Sequence, residues 1–233
     1  MAAYPREVIL GIDTSLGTAV AVVDADGVVR SEATSANPLG HAEVIGDLLA
    51  RALAAASVTA AIGAQVDAPA PTALTQVVAG MGPGPFTGLR IGIAAARTFA
   101  LARDLPVIAV PSHDAVALSI LLRAAIAGDD AGRFAVVTDA RRREFAYSVY
   151  EGLDDDGLPV RIGDAALAPR ADLDAALAER GARREDAASI PAALLALAGS
   201  RAVAASRVLT GDEPLYLRSP DVTLPGAPKR VTA

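Results

Sequence analysis

The chain opens on two closely spaced apolar runs. Val8-Ile-Leu-Gly-Ile-Asp13 is closed by an acid and followed by Thr14-Ser15, and Thr18-Ala-Val-Ala-Val-Val-Asp24 repeats the pattern. Asp26-Gly27 is a hairpin signal, and Val28–Ala33 supplies a third strand. These runs predict an antiparallel meander whose first strand, apolar on both faces, lies centrally. Val44, Ile45, Leu48, Leu49, Ala52, Leu53 and Ala56 recur at helical spacing and predict a helix over His41–Ala56. Gln76–Met81 then reads as a buried strand, Leu89–Arg103 as a helix, Pro106–Val110 as a strand and Asp114–Ala127 as a helix.

After a polar break at Asp129–Gly132 the pattern restarts. Phe134-Ala-Val-Val-Thr-Asp139 is again an apolar run ending in Asp, Arg141-Arg-Arg143 is a turn, and Glu144–Tyr150 alternates like a strand. A further strand is expected near Leu158–Ile162, with Ala-rich helices at Leu173–Gly181 and Pro191–Ala205 and a Pro-rich extended tail from Pro214. Strand, Asp, tight turn and antiparallel strand thus occur twice, at Ile9–Val23 and Phe134–Tyr150. That points to two related α/β subdomains.

Composition narrows the chemistry. The 233 residues are 52% hydrophobic and 21% charged, enough for a real core. Aromatics make up only 3%, so the core is built from Ala, Val, Leu and Ile. The formal charge of −6 disfavours a solitary nucleic-acid binder, since phosphate affinity comes from clustered Lys and Arg. With no Cys, thiolate metal sites and Cys nucleophiles are excluded, and two His make a multi-histidine metal centre unexpected. Neither Leu118–Ala127 nor Ile190–Gly199 is long enough to span a membrane, and Glu7 and Asp13 interrupt any signal-peptide core. The expectation is a cytoplasmic protein with no cofactor.

Two loops carry candidate chemistry. Asp13-Thr-Ser-x-Gly-Thr18, between strands, is of the kind that folds round a phosphate or its metal ion, although on these residues alone simple turn capping is favoured. Gly80-Met-Gly-Pro-Gly-Pro-Phe-Thr-Gly-Leu-Arg-Ile-Gly92 places a rigid, side-chain-poor loop at a helix N-terminus, where anions are stabilised. The plainer alternative is a structural turn with Thr87 as N-cap. Gly88, Gly92, Ala96 and Ala100 form a small-residue stripe that would admit a close helix, by default from this chain. His41 and His113 are each isolated and read as turn or cap residues. The Arg141–Arg143 cluster reads as solvated turn or partner contact.

Val8–Ser15, the His41-Ala-Glu43 helix start, Gly82–Gly92, Asp139-Ala-Arg141 and Tyr216-Leu-Arg218 together resemble the bacterial TsaB (YeaZ-type) family, over nearly the whole chain. The resemblance implies an actin/Hsp70-like (ASKHA) fold of two RNase H-like subdomains with mixed sheets. The expected division is 1–106, a shortened second subdomain at 107–205, and a tail at 206–233. It also implies a non-catalytic subunit in threonylcarbamoyladenosine synthesis on tRNA. Such a subunit pairs with a TsaD-like transferase and is joined by a TsaE-like ATPase. A separate enzyme, TsaC, supplies the adenylate. The chain would meet tRNA only through the complex, and a homodimer is an alternative assembly.

The alternative from another class is a glycoprotease-like hydrolase or ASKHA phosphotransferase using the Asp13 and Gly82–Gly88 loops. The paralogous transferase carries a His-x-x-x-His metal pair, and alignment through Val110 puts Ser112 and Val116 at those positions. Catalytic and metal residues are therefore expected to be none. Asp13, Thr14, Ser15, Gly82, Gly84, Thr87 and Gly88 would be a vestigial phosphate loop. In the family the first two helices form the partner surface, which implies an interface at His41, Ile45, Leu48, Leu49, Ala52, Gly88, Gly92, Ile93, Ala96, Arg97 and Ala100. The stretch between Gly181 and Pro191 is shorter than is usual in the family.

Overall fold

A computed structural model describes residues 7–37, 40–63 and 74–218. Its first sheet is built from β1 (Val8–Asp13), β2 (Thr18–Asp24), β3 (Val29–Ser35), β4 (Leu74–Gly80) and β5 (Val107–Val110), in the order β3-β2-β1-β4-β5. β1 and β2 pair antiparallel with Asp13 opposite Ala19, and β4 runs parallel to β1, so β1 is central as its apolar run predicts. The second sheet comprises β6 (Phe134–Asp139), β7 (Glu144–Leu153), β8 (Pro159–Pro169) and β9 (Arg183–Asp186), in the order β8-β7-β6-β9. It repeats the first four strands of the other sheet, with Asp139 ending β6 as Asp13 ends β1.

Side-chain alternation sorts the strands between layers. Val8, Leu10 and Ile12 face a cluster shared with α1 (His41–Gly63) and α2 (Phe86–Leu101). Ile9, Ala21 and Val78 face the other way, onto α3 (Ser112–Ala127) and α5 (Ala192–Ala204). That same middle layer takes Phe134, Val136 and Tyr150 from the second sheet. The far face of the second sheet is covered by α4 (Leu173–Glu179). α5 lies very close to β1 because Gly11 has no side chain: a Cβ there would stand 2.4 Å from the Ala192 carbonyl oxygen.

Several details differ from the sequence-based expectation. β5 hydrogen-bonds into the first sheet and α5 covers that sheet, so a division at 106/107 cuts ahead of a strand belonging to the first unit. α5 sits on the opposite face from α1 and does not cover the outer arc of α1. The short stretch after Gly181 contains β9, paired parallel to β6 from Arg183 to Asp186. α2 begins at Phe86 with Pro85 at its N-cap and no capping side chain, so Thr87 lies in the first turn instead of capping it. Most of the expected tail, 219–233, lies outside the described residues.

Candidate functional site

The two glycine-bearing loops of the first sheet close directly on one another. Asp13 is buried at the end of β1, and its Oδ1 accepts hydrogen bonds from the Ser15 amide at 2.8 Å and the Ser15 hydroxyl at 2.6 Å. Its Oδ2 accepts from the Ser112 hydroxyl at 2.5 Å, and Ser112 Oγ accepts from the Gly82 amide at 3.0 Å. Burial pushes the Asp13 carboxyl above its usual range, against the Ser112 and Ser15 hydrogen bonds and the nearby His41. Thr14 donates to the Gly88 carbonyl at 2.7 Å. A Cβ on Gly84 would meet the Ser15 backbone at 2.7 Å, and one on Gly92 would meet Thr14 Oγ1 at 2.1 Å.

Asp13, Thr14, Ser15, Gly82, Gly84 and Gly88 are therefore brought together as packing partners, and Gly84 and Gly88 also face the cleft between the two sheets. Thr87 alone of that group is exposed.

The small-residue stripe has the same explanation. Gly88, Gly92, Ala96 and Ala100 are buried, and the first two admit Thr14 against α2. Ile45, Leu48, Ala52 and Ile93 join the same core. His41 is buried too, with Nδ1 2.9 Å from Thr18 Oγ1. Of the residues expected at a partner interface, these form the interior of the first layer, because their side chains meet β1, β2 and β4. Leu49 is half-buried and Arg97 exposed. Val44 and Leu53 on α1 and Ile91, Ala95 and Phe99 on α2 are only partly covered.

The start of α3 holds a buried polar trio that the sequence only hinted at. Ser112 reaches Asp13 on the first sheet. His113 places Nδ1 2.9 Å from Ser148 Oγ and Nε2 3.0 Å from Thr138 Oγ1, both on the second sheet. Asp114 accepts from the Tyr150 hydroxyl at 2.7 Å, with Arg161 3.9 Å away. Burial lowers the His113 pKa to about 3, helped by Arg161, so the ring is neutral. Burial raises the Asp114 carboxyl, opposed by Arg161 and Tyr150, and pushes Tyr150 well up. Small hydroxyl residues within otherwise apolar strands, Thr138 and Ser148, were the available signal. Val116 is core.

Between the two sheets lies a cleft of about 420 Å³, lined by the 83–88 loop on one side and by Thr138–Arg142 on the other. The segment 216–218 lines it as well. Leu215 donates its amide to the Met81 carbonyl at 2.7 Å, and the Tyr216 ring packs against Phe86 at a 32° tilt with centroids 4.8 Å apart. Arg90 lies 3.8 Å over the Phe86 ring and donates to the Tyr216 hydroxyl at 2.9 Å. Arg218 pairs with Glu144 across the cleft. At the opposite wall Arg141, Arg142 and Arg143 all adopt left-handed backbone, with φ of 63°, 50° and 63°. Such conformations cost roughly 1–2 kcal/mol per residue for side-chain-bearing residues, so three in succession need external support. Asp139 Oδ1 accepts the Arg141 amide at 2.8 Å, and Arg170 donates its amide to Arg143 at 2.9 Å.

Two mixed sheets of matching strand order around a shared helical layer, with a cleft between their Asp-ended hairpins, define an actin/Hsp70-like protein of two RNase H-like halves. Residues 26–189 match the family described as TsaD: tRNA N6-adenosine threonylcarbamoyltransferase. An uncharacterized protein of Mycobacterium tuberculosis is 37% identical over 227 residues, covering 91% of this chain and 92% of the relative. The tRNA threonylcarbamoyladenosine biosynthesis protein TsaB of Escherichia coli is 37% identical over 90 residues, 37% of this chain and 36% of that one. The solved structure of YeaZ from Pseudomonas aeruginosa superposes with a TM-score of 0.61 at 22% identity, covering 90% of this chain and 99% of that one, which shows a shared fold. The chain belongs to this family, in its TsaB (YeaZ-type) branch.

Proposed function

We propose that this chain is a non-catalytic subunit in the synthesis of threonylcarbamoyladenosine on tRNA, binding and activating a TsaD-type transferase in the cytoplasm. Family membership supports the pathway. One observation above all supports the accessory role: Asp13, the carboxylate placed where a phosphate loop would need it, is buried, with both oxygens engaged by Ser15 and Ser112. Gly84 and Gly92 pack closely against Ser15 and Thr14.

A partner needs an apolar face, and the half-covered side chains Val44, Leu49 and Leu53 on α1 with Ile91, Ala95 and Phe99 on α2 supply a seam for it. A TsaE-like ATPase would join that pair, and the same seam would serve a homodimer when no partner is present. Reconstitution tests the reading. Purified chain, TsaD-type transferase and tRNA, with a threonylcarbamoyl-adenylate source, should yield modified adenosine only when both proteins are present. Modification by this chain alone, or full activity of the transferase without it, would overturn the proposal.

A further inference from the structure

We infer that residues 209–218 form a strap that holds the cleft closed, with the Arg218–Glu144 ion pair as its releasable latch. The Tyr216-Leu-Arg218 motif meets the glycine-rich motif at the start of α2 directly: Arg90, 126 positions earlier, donates to the Tyr216 hydroxyl at 2.9 Å. The strap starts against the middle layer, where Leu209 packs on the cluster of α3 and α5 and its carbonyl accepts from Arg161 of β8 at 3.1 Å. It then passes the edge strand β5. Asp212 lines a small cavity with Val107 and Ala109 there, and its carbonyl accepts from Arg97 of α2. Leu215 and Tyr216 reach the opposite apolar cluster, under α1 and α2. The route thus runs from the layer shared by both sheets to the cleft between them.

The fastenings on the two sides of the cleft are unequal. The first half holds the strap by the Leu215 amide on Met81, the Tyr216 ring on Phe86, and both Arg90 and Arg97. Across the cleft, Arg218 meets Glu144 at the start of β7. Glu144 Oε2 is shielded from solvent and has no other partner among the described residues, so Arg218 is the group that compensates its charge. From Tyr216 to Arg218 is two residues, a reach of at most about 7 Å. So short a tether cannot lengthen, and the second half moves away from α2 only when the ion pair breaks. The two side chains are 34% and 28% exposed, which leaves the pair open to screening and weaker than the apolar fastenings. The strap therefore lets go at Arg218 and stays on α2. Fastened, Tyr216, Leu217 and Arg218 form part of the cleft wall; released at Arg218, the 83–88 and 138–142 walls part.

The chain contains no cysteine, so a pair of spin labels can be placed without removing any native thiol. Ala94→Cys on α2 and Ala175→Cys on α4 put one label on an exposed position of each half. Dilution with unlabelled chain suppresses distances between copies. Pulsed electron paramagnetic resonance on the full labelled chain should give one narrow distance. Arg218→Ala and Glu144→Ala should each broaden and lengthen it, the mean by at least about 3 Å, the span of one residue. Reversing both charges in R218E/E144R should restore the narrow distance, which a loss of mere bulk at either position would not do. Arg133→Ala, which breaks an ion pair with Glu151 outside the cleft, should leave the distance unchanged. A distance that neither single variant moves would overturn the inference. So would a charge-reversed chain as broad as the single variants, or an Arg133→Ala chain that opens as far as Arg218→Ala.

Discussion

His113 carries the clearest consequence at the level of single residues. Its ring lies between two hydroxyls, 2.9 Å from Ser148 and 3.0 Å from Thr138, and burial lowers its pKa to about 3 from 6.5. Above pH 6.5 folded and unfolded chains both carry a neutral ring. As pH falls from 6.5 toward 3 only the unfolded chain takes up the proton, so stability is lost across that window. Between pH 7 and pH 5 this one group should remove about 2 kcal/mol. Asp13 and Asp114 act in the opposite sense, because their carboxyls are raised from 3.8. Their contribution is fully present below that value and is lost as pH rises through the raised pKa. His113→Gln, which cannot protonate, should therefore be less stable at pH 7 yet show a flatter fall from pH 7 to pH 5. Urea-unfolding midpoints at the two pH values measure this, and an unchanged slope would show that the histidine is not the titrating group.

Elements differ in how much of their role their own residues reveal, and α1 and α2 mark the boundary. That both are helices follows from the 3.6-residue recurrence of Val44, Ile45, Leu48 and Ala52, and of Leu89, Ile93 and Ala96. Which face is interior does not follow, because a Gly/Ala stripe permits close approach by anything. Here the close neighbour is Thr14, a loop residue more than seventy positions away. Hence Ala96→Arg should unfold the chain, since Ala96 is fully buried and a charge there is unpaired in the core. Leu49→Glu, on the half-covered side of α1, should leave the thermal midpoint within a few degrees and abolish co-purification with a transferase partner. A folded Ala96→Arg chain would place that stripe outside the core.

Other elements follow the same logic. The β1–β2 and β6–β7 hairpins are legible because apolar runs, terminal acids and turn residues all agree. β9, Arg183-Arg-Glu-Asp186, is not, since it is polar and held by its parallel ladder to β6. The Asp13 loop was legible as a feature but not as a closed one. Ser112, which seals it, lies on an element ninety-nine positions distant.

The whole molecule is held together by its middle layer. One apolar cluster takes Ile9 and Val78 from the first sheet, Phe134 and Val136 from the second, and Leu118 and Leu195 from α3 and α5 between them. Ser112, His113 and Asp114 add polar ties from one helix start to both sheets. The cluster under α4 is different: Ala135, Val137, Leu173 and Leu177 belong to the second half alone. Truncating a side chain in each layer should separate these roles. Leu118→Ala and Leu177→Ala each empty a nearly inaccessible site, with 0% and 2% exposure, and each should cost roughly 2–5 kcal/mol. Their spatial signatures differ. Amide exchange in Leu118→Ala should accelerate in β1 and β4 as well as in β6 and β7, because both sheets rest on the same layer. In Leu177→Ala the increase should be confined to β6–β9 and α4, leaving β1–β5 protected as in the unmodified chain. If Leu118→Ala loosens one sheet only, the halves are stabilised separately, and the position of the Arg141 turn relative to α2 is then set by the chain segment at Tyr216–Arg218 instead of by α3.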